Sequence, residues 1–122
     1  MVEEVVYQRL STDNTLAALC PRMRPSEPEV NEDLPYLMYT FSGREQSTNF
    51  DGQSDLANYS FTVDVWTLNA ADIVPIVDRV NELLNGWRAG SVKWCRNVGH
   101  STDQQERGYH AQESFGMWAT AG

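Results

Sequence analysis

Two spacings of apolar residues meet between Tyr59 and Trp87. From Tyr59 to Thr67, Tyr59, Phe61, Val63 and Val65 alternate with Ser60, Thr62 and Asp64. That period of two predicts a strand with one buried face. From Ile73 the spacing changes: Ile73, Ile76, Val77, Val80, Leu83, Leu84 and Trp87 recur at steps of three and four, the stripe of an amphipathic helix. Asp72 is the expected N-cap of the regular helix, with Asn69-Ala70-Ala71 as a leading turn. Pro75 then falls in the first turn, where its missing N–H costs nothing. Asn85-Gly86 supplies the stop.

The same reading extends to both ends of the chain. Val2, Val5, Val6 and Leu10 form the stripe of an opening helix, with Glu3 and Glu4 in its first turn, where the helix dipole favours negative charge. Ser11-Thr12-Asp13-Asn14 is a break rich in capping residues, and a short helical turn over Thr15 to Cys20 ends at Pro21. Arg22 to Asp33 reads as loop, with room for a short edge strand near Arg22–Arg24. Leu34 to Ser42 reads as a strand with apolar residues on both faces, which suggests a central position or an outer face covered by a partner. Ser91 to His100 and Tyr109 to Thr120 each alternate, joined by the polar loop STDQQERG. The order is α-(α)-β-β-α-β-β. It predicts an α+β fold: a mostly antiparallel sheet of about four to five strands with two main helices packed on it, in a single domain spanning 1–122.

One connection stands out. Gly43 to Asp55, GREQSTNFDGQSD, is polar and 13 residues long. Connections of that length are uncommon in compact domains unless they have a function or are disordered. Because it joins two antiparallel strands, it is expected to be a protruding hairpin arm, with a merely flexible tip as the alternative.

Composition narrows the choice of function. The 122 residues carry 17 acidic and 9 basic side chains, a net charge of −8. Such a chain is a poor non-specific binder of nucleic acid, because phosphate neutralisation needs clustered Lys and Arg. The N-terminal MVEEVVYQRL has neither the basic nor the apolar region of a signal peptide, and no apolar run reaches the roughly 20 residues that span a bilayer. The expectation is a soluble protein, made inside a cell, with no membrane partner. Cys20 and Cys95 stand outside any CxxC pair and read as buried thiols of a reducing compartment, although spacing alone leaves a disulfide between them open.

Chemistry is sparse. His100 and His110 flank the last hairpin loop and could approach each other across it, but no further residue stands at metal-ligand spacing, so exposed polar side chains are the simpler expectation. Ser101 and Asp103 lie near His100 in sequence, which is no sign of a catalytic triad, since a triad is defined by geometry. Asp51, Asp55, Asp64 and Glu113 read as surface acids. No phosphate-binding glycine loop, HExxH or EF-hand pattern is present. The expectation is therefore no catalytic residue, no metal and no cofactor. Trp66 and Trp118 fall opposite the more apolar faces of their strands, where aromatic residues often anchor protein interfaces.

Taken together, these segments resemble the tail-completion (tail-terminator) proteins of long-tailed bacteriophages and gene-transfer particles. The resemblance runs through VYQRLSTDNTLAALC (Val6–Cys20), LPYLMYTFSG (Leu34–Gly43), the polar arm, YSFTVDVWT (Tyr59–Thr67), the LLNGW helix ending (Leu83–Trp87) and the final hairpin. The acidic stretch Pro21–Leu34 and Pro75 depart from the family's usual pattern.

The resemblance implies a virion structural protein, made in the host cytoplasm, that assembles with copies of itself into a ring, typically a hexamer. The ring would cap the head-proximal end of the tail tube, stop its growth and meet the head connector, with DNA passing through the lumen. The acidic balance suits a lumen wall that repels DNA. On this reading the interface candidates are Arg44, Asn49, Phe50 and Asp51 in the arm, and Trp66 and Trp118 on the sheet. Another phage neck or tail-tube protein is the alternative, followed by a small ligand-binding domain.

Overall fold

Both periodicities of the central segment take the form expected of them in the structure, a computed structural model that describes residues 2–20, 22–24, 35–49, 52–90, 92–105 and 108–120. The elements are α1 (Val2–Ser11), α2 (Asn14–Leu19), β1 (Arg22–Arg24), β2 (Tyr36–Asn49), β3 (Gly52–Thr67), α3 (Ala70–Leu84), β4 (Val92–Gln105) and β5 (Gly108–Thr120). The strands form one sheet in the order β1-β2-β3-β5-β4. Every pairing is antiparallel except the short parallel contact of β1 with β2. The fold is α+β, as the element order predicts.

The helices cover one face of the sheet. Val6 and Leu10 of α1, Leu16 of α2 and Ile76, Val80, Leu83 and Leu84 of α3 share a core with Leu37, Phe61, Val63, Val65, Phe115 and Met117 of the strands. Phe61 sits at its centre, with Phe41 stacked at 5.0 Å and Phe115 at 5.3 Å between ring centroids. A second, smaller cluster of Ile73, Val77, Ala111 and Tyr109 lies under the start of α3.

Polar contacts fix the helices to one another. Asp13 caps α2 by accepting from the Leu16 N–H at 2.8 Å. The same carboxylate accepts two bonds from the Arg79 guanidinium of α3, at 2.9 and 2.6 Å. Arg79 holds the Asp13 carboxyl down, at a pKa of about 2. Arg9 of α1 donates from Nε to the Leu83 carbonyl at 2.9 Å, and its guanidinium lies 5.4 Å from the ring centre of Trp87.

Three boundaries differ from the sequence reading. The N-cap of α3 is Asn69, not Asp72, so Pro75 lies inside the helix rather than in its first turn. Asn69 takes the extended cap conformation without a side-chain cap bond. Its carbonyl accepts from the Asp72 N–H at 3.1 Å, and this closes the turn. The second difference is the polar stretch from Gly43. Its backbone is mostly paired: β2 and β3 stay paired to Asn49↔Gly52, with register shifts after Phe41 and after Gln46, whereas β5 leaves β3 at Leu56↔Thr120. A two-stranded hairpin therefore continues past the end of the main sheet. The third is the last hairpin, whose ladder reaches Gln105↔Gly108 through most of the expected loop. Both extensions escaped the sequence reading because a ladder needs no apolar face, and a run of polar residues shows no period-two signal.

Two glycines are required by the backbone. Gly86, at φ 83°, follows the α3 cap and donates its N–H to the Cys95 carbonyl at 2.6 Å. A Cβ on Gly108 would lie 2.1 Å from the Thr67 carbonyl oxygen. Cys20 and Cys95 are both free and buried, and burial pushes each thiol up to about 12.

Candidate interface surfaces

The sheet face away from the helices carries the residues that could meet a partner. On it, alternate residues of β3 and β5 stand in rows, with Trp66 beside His110, Asp64 beside Gln112, Thr62 beside Ser114, Ser60 beside Gly116 and Asn58 beside Trp118. Trp66 and Trp118 thus share this face, but eight strand positions separate them, roughly 26 Å along β3. The two tryptophans mark opposite ends of the face and form no single patch.

Around Trp66 the surface is built and closed. Its ring stacks on His110 at 4.8 Å and meets the edge of the buried Tyr36 at 6.1 Å. His110 lies between two carboxylates, with Nε2 2.7 Å from Asp64 and Nδ1 2.7 Å from Asp103. Asp64 also accepts from Gln112 at 3.1 Å and from Thr62 at 3.4 Å. A ring nitrogen must carry a proton to donate, so both contacts are made at once when His110 is an imidazolium.

Around Trp118 the surface is open. Trp118 faces Trp94 of β4, and the Arg96 guanidinium lies over the Trp94 ring at 4.9 Å. With Ser60, Ser114 and Val98 these side chains line a shallow depression of about 270 Å³. Val98, on its rim, is exposed. Of the arm candidates, Arg44 pairs with the core residue Tyr59, still within the main sheet, and Asn49 pairs with Gly52 at the far end of the outer hairpin. Phe50 and Asp51 lie outside the described residues.

The two histidines do not meet. His100 bonds through Nδ1 to Glu113 on the helix side of the sheet, while His110 sits on the other side. Asp64 and Glu113 are not surface acids: each is 3% exposed. Glu113 accepts from Asn81 of α3 at 2.8 Å and from Asn97 of β4 at 3.2 Å. Asn97 in turn donates to the Asn81 side-chain oxygen at 2.8 Å. The network satisfies a buried carboxylate and fixes α3 against β4 and β5. One sequence signal pointed to it: Glu113 occupies an apolar register position between Ala111 and Phe115. Among the described residues no group of three or more His, Cys, Asp or Glu could hold a metal ion.

Residues 4–119 match the protein family described as Tail completion protein gp17. The chain belongs to the gp17 tail-completion family. Its fold is also that of a chain in a solved structure described as the virion of a native gene transfer agent (GTA) particle. The two superpose with a TM-score of 0.74 at 18% identity, covering 95% of this chain and 92% of the other. A search of the curated proteins finds no match. Membership assigns the protein a structural role in a phage-type tail, as a component of the particle. No described helix is long and apolar enough to cross a membrane.

Proposed function

We propose that the protein assembles head to tail into a ring of about six subunits, with the number following from the family resemblance. The ring sits at the head-proximal end of the tail tube, ends tube growth and presents the surface that meets the head connector. DNA passes through its lumen without being bound or altered, and the protein performs no catalysis of its own. The observation that carries this reading is the family match over residues 4–119, which runs from within α1 to the penultimate residue of β5. Two features support it. The net charge of −8 suits a wall past which DNA slides. The β2–β3 hairpin runs on past the end of β5, where it can reach a neighbouring subunit or the tube. The interface residues proposed are Arg44, Asn49, Phe50 and Asp51 on that hairpin, and Trp66 and Trp118 on the sheet.

Negative-stain microscopy of the protein, alone and mixed with the cognate tail-tube protein, tests the proposal. Rings of uniform size, or tubes capped at one end only, are expected. Protein that neither rings nor caps tubes would transfer the assignment to another neck or tail-tube position.

A further inference from the structure

The two faces of the molecule differ in charge. On α3, Val74, Asp78 and Glu82 follow one another at four-residue steps and are all exposed, so they share the stripe turned away from the sheet. Val74 is 59% exposed, a large aliphatic side chain left in water. Arg79, the cation of the same helix, is taken up by Asp13 at 2.6 Å and Glu82 at 2.7 Å. The outer stripe of α3 thus presents an aliphatic knob with a carboxylate, Asp78, one turn further on.

The depression beside Trp118 opens on the other face of the sheet. Small residues, Ser60, Ser114 and Gly116, form its middle, and Trp94, Trp118 and Val98 border it. Val98 is 57% exposed. Among the described residues that line the depression, Arg96 alone is charged. The chain around it has the same sign. From Leu83 to Thr102 it holds three cations, Arg88, Lys93 and Arg96, and no carboxylate, in a protein with 17 acids and 9 bases. An apolar hollow edged by a cation on one face answers an apolar knob followed by an anion on the other.

We propose that α3 of one copy lies across this sheet face of the next, with Val74 seated in the depression and Asp78 paired with Arg96. The proposal rests on the ring reading above and gives it a contact. The sheet stands between the two surfaces, so no molecule can join its own. Val74 and Asp78 are neighbours on the helix, about 5–6 Å apart at Cβ, and Arg96 edges the hollow that Val74 would enter, so one approach serves both. An exposed ion pair contributes little by itself. Here the tryptophans and Val98 shield it from water, as the surroundings of an interface anchor do. Each copy offers its helix to one neighbour and its sheet to the other. That contact is heterologous, and it closes into a ring when the rotation permits.

Charge exchange tests it. Arg96→Glu and Asp78→Arg, each verified as folded by circular dichroism, should weaken self-association about tenfold or more in sedimentation, because each sets like charges against each other. Neither should form rings or cap tubes under the microscope. The double variant should recover both. An equimolar mixture of the two single variants should recover them as well, with the variants alternating, since every contact then joins opposite charges. Single variants that ring and cap like the wild type overturn the contact and leave the ring standing. Folded single variants that fail, with no recovery in the double variant or the mixture, also overturn it. Open chains that dissolve in the single variants and return in the double keep the contact and overturn the ring. Wild-type protein that stays monomeric and caps no tube overturns both.

Discussion

At the scale of single residues, a half-buried ion pair and a buried carboxylate tie the elements to one another. Asp13 does two jobs, capping α2 and pairing with Arg79. Its carboxyl titrates near 2 when folded, below the ordinary value of 3.8. A depressed acid stabilises the folded state above its unfolded pKa and loses that contribution as the pH falls through the folded one. Asp13→Asn keeps the cap and removes the charge. The wild type should therefore exceed this variant in stability at neutral pH, with the gap closing between about pH 4 and pH 2 in urea titrations. A gap that ignores pH would show that the ion pair contributes nothing. Glu113→Ala strips the common acceptor from Asn81, Asn97 and His100 and should cost about 3 kcal/mol, measured by chemical unfolding. Glu113→Gln, which keeps one acceptor oxygen, should cost less. Equal losses in the two would argue that packing, not the network, is what Glu113 supplies.

At the scale of elements, the sequence is legible where one face is buried and mute where none is. Tyr59–Thr67 and Ile73–Leu84 could be read because their apolar sets alternate between core and solvent. The outer halves of β2 and β3 could not, since Arg44 to Asp55 offers one apolar residue. The α3 cap was misplaced by the assumption that Pro75 must avoid the helix interior. In the folded chain the stripe of Ile73, Ile76, Val77 and Val80 outweighs it, because burying that stripe fixes the helix whatever the proline costs. Pro75 is exposed and leaves the Ala71 carbonyl without its helical donor. Pro75→Ala should then raise stability by about 1 kcal/mol, seen as a rise of roughly 4 °C in melting temperature. A fall would mean that proline's restriction of the unfolded chain outweighs the missing bond. The buried acids were the least legible feature, because partners as far as 48 residues away decide whether a carboxylate is satisfied.

At the scale of the whole molecule, the core and the proposed assembly arm occupy different ends. The core joins the three helices to β2, β3, β4 and β5, and no described core residue comes from the hairpin beyond Ala57. Deleting residues 45–53 should therefore change the melting temperature by no more than a few degrees while abolishing ring formation and tube capping. Loss of folding in that deletion would tie the arm to the core and remove it as an assembly device. The resemblance gave the tail role from the order of segments. What it could not give was the Glu113 network, which exists only once β4, β5 and α3 are brought together.

The two buried thiols bear on what happens after assembly. A component of a particle meets oxygenated water for as long as the particle persists. Oxidants and stray disulfides attack the thiolate, and a thiol that ionises only near 12 and lies out of contact with solvent presents almost none. These two thiols therefore become reactive only when the core opens around them.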